Sequence, residues 1–126
     1  MEAVQQRKFE MQRDMDLIRD LLLKVESDPM CDGRHFVTLD IPNYSVEDVD
    51  YHLGLLIKAG YLTGTQTMTT LSVSSLTWEG HEFLDNIKDP GIWSKTKERA
   101  KGIPGIALKV LAEIATSEIR KHLGLS

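Results

Sequence analysis

A capped helix that stops at a glycine, a Thr-rich hairpin directly after it and a second capped helix beyond the hairpin predict an α+β fold. That order is a winged helix-turn-helix with helical extensions at both ends. Ser45 opens the first of these helices as a side-chain cap, and Asp48 stands three positions on, where a capping box places an acid. Val46, Val49, Leu53, Leu56 and Ile57 then recur at the spacing of one buried helical face. Gly60 ends the run, since glycine accepts the left-handed position after a helix. Tyr61 to Thr70 and Leu71 to Thr77 are rich in Thr, Ser and Val and read as the two strands of the wing, with a tip between Gln66 and Thr70. Thr77 caps a helix from Trp78 to about Lys88, with Glu79 at its positive N-terminus and Phe83, Leu84 and Ile87 on its buried face.

The flanks supply the extensions. Residues from about Ala3 to Glu26 read as one helix whose stripe carries Met15, Ile18, Leu21, Leu22 and Val25. Asp28-Pro29 and Asp32-Gly33 break it, because proline biases the preceding residue away from helix. A short strand is expected over His35 to Leu39, and Ile41 to Tyr44 is a compressed turn where an ordinary helix-turn-helix keeps a helix. Asp89-Pro90-Gly91 ends the Trp78 helix, Ile92-Trp93 anchors the chain, and a short basic helix runs from Ser94 to Lys101. A final helix from Ile106 to about His122 places Ala107, Val110, Leu111, Ile114 and Leu123 on its apolar side. The chain of 126 residues is thus expected to form one domain over 1–126, with a core of about 13–88 and a C-terminal extension of about 94–124.

Composition narrows the classes. With 41% hydrophobic and 27% charged residues, the chain can bury an ordinary core. It has no apolar run of bilayer length and no signal-peptide start, so a cytoplasmic protein without a membrane partner is expected. Its one cysteine, Cys31, excludes an internal disulfide framework and a Cys-based zinc site. The net charge is −4, and the stretch from Val37 to Gly80 carries all of it: five acids against the single base Lys58. An acidic centre argues against that centre lying on a nucleic-acid backbone.

The phrases MQRDMDLIRDL from Met11, YSVEDVDYHLGLLIKAGYL from Tyr44 and LTWEGHEFLDNIKDPGIW from Leu76 resemble an uncharacterised bacterial and prophage domain-of-unknown-function family. Leu76, Thr77, Gly80, His81, Glu82, Phe83, Leu84, Asp85 and Trp93 make the most recognisable part, and the likeness covers roughly 11–101. The resemblance implies a winged-helix fold. It brings no catalytic or binding residues with it.

Candidate surfaces follow from the residues themselves. The Ser45 helix is the candidate recognition helix, whose exposed positions would enter a major groove. Those positions are Glu47, Asp48, Asp50, Tyr51, Leu55 and Lys58, so acids sit where bases would be read, and the wing has no lysine or arginine. DNA is therefore disfavoured at this helix. Tyr51 and Leu55, one turn apart, instead form a candidate surface for a protein partner. Lys95, Lys97, Arg99 and Lys101 are the candidate phosphate contacts, and their alternative role is to stay solvated or to pair with the acidic Ser45 helix of the same or a neighbouring subunit. The wide apolar stripe of the last helix packs either on the N-terminal helix or on its counterpart in a homodimer.

No enzyme is indicated. His81-Glu82 lacks the second histidine of a zinc-protease motif, because Asp85 stands there. His35, His52, His81 and His122 lie in separate elements without metal-ligand spacing, and His52 reads as a satisfied, partly buried histidine. Ser72, Ser74 and Ser75 lack a nucleophile-elbow glycine pattern, and there is no glycine-rich phosphate loop. No catalytic, cofactor or metal residues are assigned. Trp78 and Trp93 are expected to be core anchors, and Cys31 to be unreactive.

Overall fold

Asp14 adopts an extended backbone, its carboxylate accepts the Leu17 N–H, and the first described helix, α1 (Met15–Ser27), begins there. The computed structural model describes residues 13–103 and 105–125. The unbroken helix predicted from Ala3 is therefore interrupted at Asp14, and its portion before Arg13 lies outside the described residues. Leu17, Ile18, Leu21, Leu22 and Val25 are buried, while Met15, placed on the stripe by periodicity, is half-buried. The helix ends at Asp28, ahead of Pro29, as its sequence requires.

The chain then passes through two Asx turns, in which Asp28 accepts the Met30 N–H and Asp32 accepts those of Arg34 and His35. The predicted strand over His35 to Leu39 contracts to one residue pair, Val37 with Val73, which exchange two backbone hydrogen bonds of 2.9 Å. Phe36 points to solvent. The 41–44 segment is a turn closed by the Tyr44 N–H on the Ile41 carbonyl, as expected.

Ser45 caps α2 (Val46–Lys58), its hydroxyl accepting the Asp48 N–H at 3.0 Å. Val49, His52, Leu53 and Leu56 form its buried face. Val46 does not join them: it is 67% exposed, because the first turn projects beyond the core. At the far end Gly60 (φ 87°) gives its N–H to Ile57 and Tyr61 gives its N–H to Leu56, the double closure of a Schellman turn.

Strands β1 (Leu62–Gln66) and β2 (Leu71–Leu76) pair antiparallel from Leu62↔Leu76 to Gln66↔Leu71. The register breaks between Thr63 and Gly64, where a side chain on Gly64 would collide with the Ser72 carbonyl and Ile57. Thr67 closes the tip on Thr70 through backbone and hydroxyls. Thr77 then caps α3 (Trp78–Ile87), which buries Phe83, Leu84 and Ile87 as predicted. Trp78 departs from expectation. It is 75% exposed, since the first position of α3 faces away from the core that Phe83 enters.

Asp89-Pro90 ends α3 and also starts α4 (Pro90–Ala100). The Asp89 carboxylate accepts the Ile92 N–H, and proline takes the first helical position, where no N–H is needed. The predicted short basic helix is thus the second half of a longer one. Helix α5 (Leu108–His122) buries Leu108, Leu111, Ile114, Ala115 and Glu118. It packs on α3 and α4 rather than chiefly on α1. Val110 and Leu123, predicted on that stripe, are exposed.

Among the described residues the architecture is α+β: five helices and one two-stranded antiparallel sheet. Helix α1 packs against α2, α3 and β2, and one continuous core joins residues from Leu17 to Ala115.

Candidate functional site

Around the start of α1, side chains from α2, α4 and the 41–44 turn meet through several specific polar contacts. Asp14 is a three-way junction. One carboxylate oxygen caps Leu17, the other accepts the Tyr44 hydroxyl at 3.0 Å, and the backbone N–H donates to His52 Nε2 at 2.7 Å. His52, 1% exposed, donates a hydrogen bond from its other ring nitrogen, Nδ1, to the Asp48 carbonyl at 2.7 Å. These partners specify the neutral ring with its proton on Nδ1. Burial first, then the bond to Asp14, pushes the Tyr44 phenol up to about 12.

Asp16, on the next turn, accepts Trp93 Nε1–H at 2.9 Å and the Lys97 ammonium at 2.8 Å. Lys97 beside it, helped by the indole donor, holds the carboxyl below the usual aspartate range against a partial burial penalty. Arg19 donates to the carbonyls of Ile87 and Lys88, capping the C-terminal end of α3. Asp14, Asp16 and Arg19 are therefore latches between elements.

The predicted phosphate contacts divide into two kinds. Lys97 is tied to Asp16 and lies 5.7 Å from the Trp93 ring centre. Arg99 bonds Glu118 at 2.9 Å and Ser117 at 3.1 Å; Glu118 is 7% exposed, so this cation compensates a buried carboxylate. Lys95 and Lys101 are exposed and have no carboxylate partner among the described residues.

The outward face of α2 is acidic, as read from the sequence. Glu47 is exposed, Asp48 and Asp50 are half-buried, and Lys58 is the base at the far end. Partial burial and then Glu47 raise the Asp50 carboxyl above its ordinary value. Tyr51 and Leu55, the predicted partner surface, are both half-buried. Leu55 packs against the core, and Tyr51 stands edge-on to His52 with ring centres 5.2 Å apart.

Two concavities flank these elements. One, of about 540 Å³, is lined by Arg13, Tyr51 and Lys101 with Met15, Ile103 and Ile106 among its apolar walls. It joins one residue of the predicted partner surface to one predicted phosphate contact. The other, of about 750 Å³, lies between α3 and α5 over Tyr61 and Phe83, with Glu79, Glu82 and Glu113 at its rim and Lys109 opposing them. Burial, Glu113 and Glu79 raise the Tyr61 phenol. Of the enzyme-like residues considered from sequence, His81, Glu82 and Asp85 sit exposed along α3. Burial and the charges of Asp28 and Asp32 push the Cys31 thiol up, which disfavours the reactive thiolate. Among the described residues no group of three or more His, Cys, Asp or Glu could hold a metal ion, and no helix is long and apolar enough to cross a membrane.

Arg13 and Glu118 escaped sequence reasoning. Arg13 stands in the first recognisable phrase but shows its isolation only in three dimensions. Glu118 lies on the apolar side of α5, and an acid at a core position is a signal that a partner such as Arg99 must exist.

Comparison with known proteins fits this picture. Residues 12–107 match the family described as hypothetical protein DUF2513, and the chain belongs to that family. It is 32% identical over 119 residues to a Haemophilus influenzae strain Rd protein named "Uncharacterized protein", covering 90% of this chain and 99% of that one. No solved structure matches.

Proposed function

We propose that the chain is a non-enzymatic winged-helix module whose recognition-helix face binds a protein partner in place of a DNA groove. In this reading Val37, β1 and β2 form the small sheet and wing, α2 is the recognition helix, and α1 and α3 support it from behind. The observation that carries the proposal is charge on α2. Glu47, Asp48 and Asp50 stand at the end that would read bases, Lys58 is the one lysine or arginine of α2, and residues 62–76 contain none. Phosphate neutralisation supplies most non-specific DNA affinity, and this face offers almost none. Val46, 67% exposed beside Glu47, gives it an apolar centre next to its acids. That combination suits a partner presenting basic and apolar side chains. Tyr51 belongs to the edge of the surface, and Leu55 supports it from the core side.

The second reading is a DNA-binding, prophage-linked regulator. It draws on Arg13, Lys95 and Lys101, cations without a carboxylate partner among the described residues. Lys97 and Arg99 would have to leave Asp16 and Glu118 to join them.

The test of the first reading is crosslinking and co-purification with the native chain and with Glu47→Lys combined with Asp50→Lys. The native chain is expected to hold a partner in a salt-sensitive complex that the double variant loses. Undiminished recovery by the variant would contradict the proposal.

A further inference from the structure

Arg13 and Lys101 are the two cations that meet at one concavity without serving the fold. Elsewhere the described cations are widely committed: Lys88 to Glu26, Lys97 to Asp16, Arg99 to Glu118, and Arg19 to the end of α3. Asp14 and Asp16, the acids of the phrase that Arg13 opens, are fully used as latches, and Met15 packs against the core. Arg13 makes no hydrogen bond or ion pair within the described structure, and one terminal guanidinium nitrogen comes close to Gly105, on the loop between α4 and α5. Lys101 reaches the same pocket from the end of α4, and Tyr51 from the middle of α2.

Among the described residues no carboxylate lines this pocket. Its remaining walls are apolar, from Met15, Ala100, Ile103 and Ile106, and its volume of about 540 Å³ falls within the range of small-molecule sites. An arginine fork, an ammonium and a phenol facing an apolar wall match a compact dianion attached to an apolar or planar body. Every lining residue falls within the 12–107 family match, whereas the groove between α3 and α5 extends beyond it at Lys109, Glu113 and Thr116.

We infer that the pocket formed by Arg13, Tyr51 and Lys101 is a binding site for a small phosphate monoester. Arg13 takes the phosphate bidentately, Lys101 adds the second positive charge, Tyr51 donates its hydroxyl, and Ile103 and Ile106 cover the organic part. Tyr51 is shared with the edge of the partner-binding face, but Glu47 and Asp50 do not line the pocket, so the Arg13 and Lys101 variants test this inference separately from that face.

Calorimetric titration of the full chain tests it, with inorganic phosphate, phenyl phosphate and a nucleoside monophosphate as probes. The two monoesters are expected to bind saturably and more tightly than inorganic phosphate. Arg13→Gln and Lys101→Gln should each weaken them at least tenfold, as loss of a charged hydrogen bond implies. Both variants should keep the native circular dichroism, because neither side chain has a partner to lose. Lys95→Gln removes an unpartnered cation outside the pocket and should leave binding unchanged. The inference is overturned by absence of saturable monoester binding at millimolar concentration. It is equally overturned by unchanged binding in both pocket variants, or by an equal loss in Lys95→Gln, which would mark general charge attraction.

Discussion

His52 accepts a hydrogen bond from the Asp14 backbone and donates one to the Asp48 carbonyl while almost wholly buried, so both of its nitrogens are needed in place. His52→Leu keeps most of the volume but orphans the Asp14 N–H and removes the side-chain donor to the Asp48 carbonyl. The expected cost is about 2 kcal/mol, the penalty of an unsatisfied buried polar group, read as a lower urea midpoint at unchanged m-value. Asp16 gives a second test at the same scale. Its folded carboxyl is depressed first by Lys97, so the stabilisation it carries is present above the ordinary aspartate value and fades as pH falls through the lower folded value. In an NMR titration Asp16 should protonate below the ordinary aspartate range, and Lys97→Met should move its midpoint upward. An unmoved midpoint would mean that the ion pair is not formed in solution. His52 was legible as a satisfied histidine from its place beside the apolar face. Its two partners were not, because one of them lies 38 positions away in sequence.

At the scale of elements, local chemistry was read well and facing was read less well. Ser45, Gly60 and Thr77 do what their types suggest at helix ends, and the hairpin tip falls inside the predicted span. Val46 and Trp78 were assigned to buried faces by period alone, yet both occupy first turns that overhang the core, which periodicity cannot detect. Asp89-Pro90 was legible as a stop but not as a start, because the same two residues serve both helices. Gly80 carries a sharper consequence. A Cβ there would overlap the Tyr61 carbonyl oxygen, since α3 begins directly against the chain leaving α2. Backbone cannot yield as a side-chain end can, so Gly80→Ala is expected to cost about 3 kcal/mol, the upper end for overpacking, in chemical denaturation. A near-neutral result would mean that this corner is looser than described.

Across the whole molecule, charge separates what the fold uses from what it leaves free. Lys97 and Arg99 were legible as a basic patch or as partners of the acidic α2, but they pair instead with Asp16 of α1 and Glu118 of α5. The acids of α2 remain on the outward face, as their sequence positions indicate, and two uncommitted cations, Arg13 and Lys101, meet beside the α4–α5 loop. The pocket was not legible at all, since its residues come from positions 13, 51 and 101–106 and share no local pattern. The proposed partner-binding role depends most on the α2 face being unable to hold a phosphate backbone. Fluorescence anisotropy of a random labelled duplex, titrated with the native chain from low to physiological salt, tests this directly. The account predicts no saturable binding even at low salt. Binding there that falls steeply as salt rises, and that survives Arg13→Gln with Lys101→Gln, would contradict it.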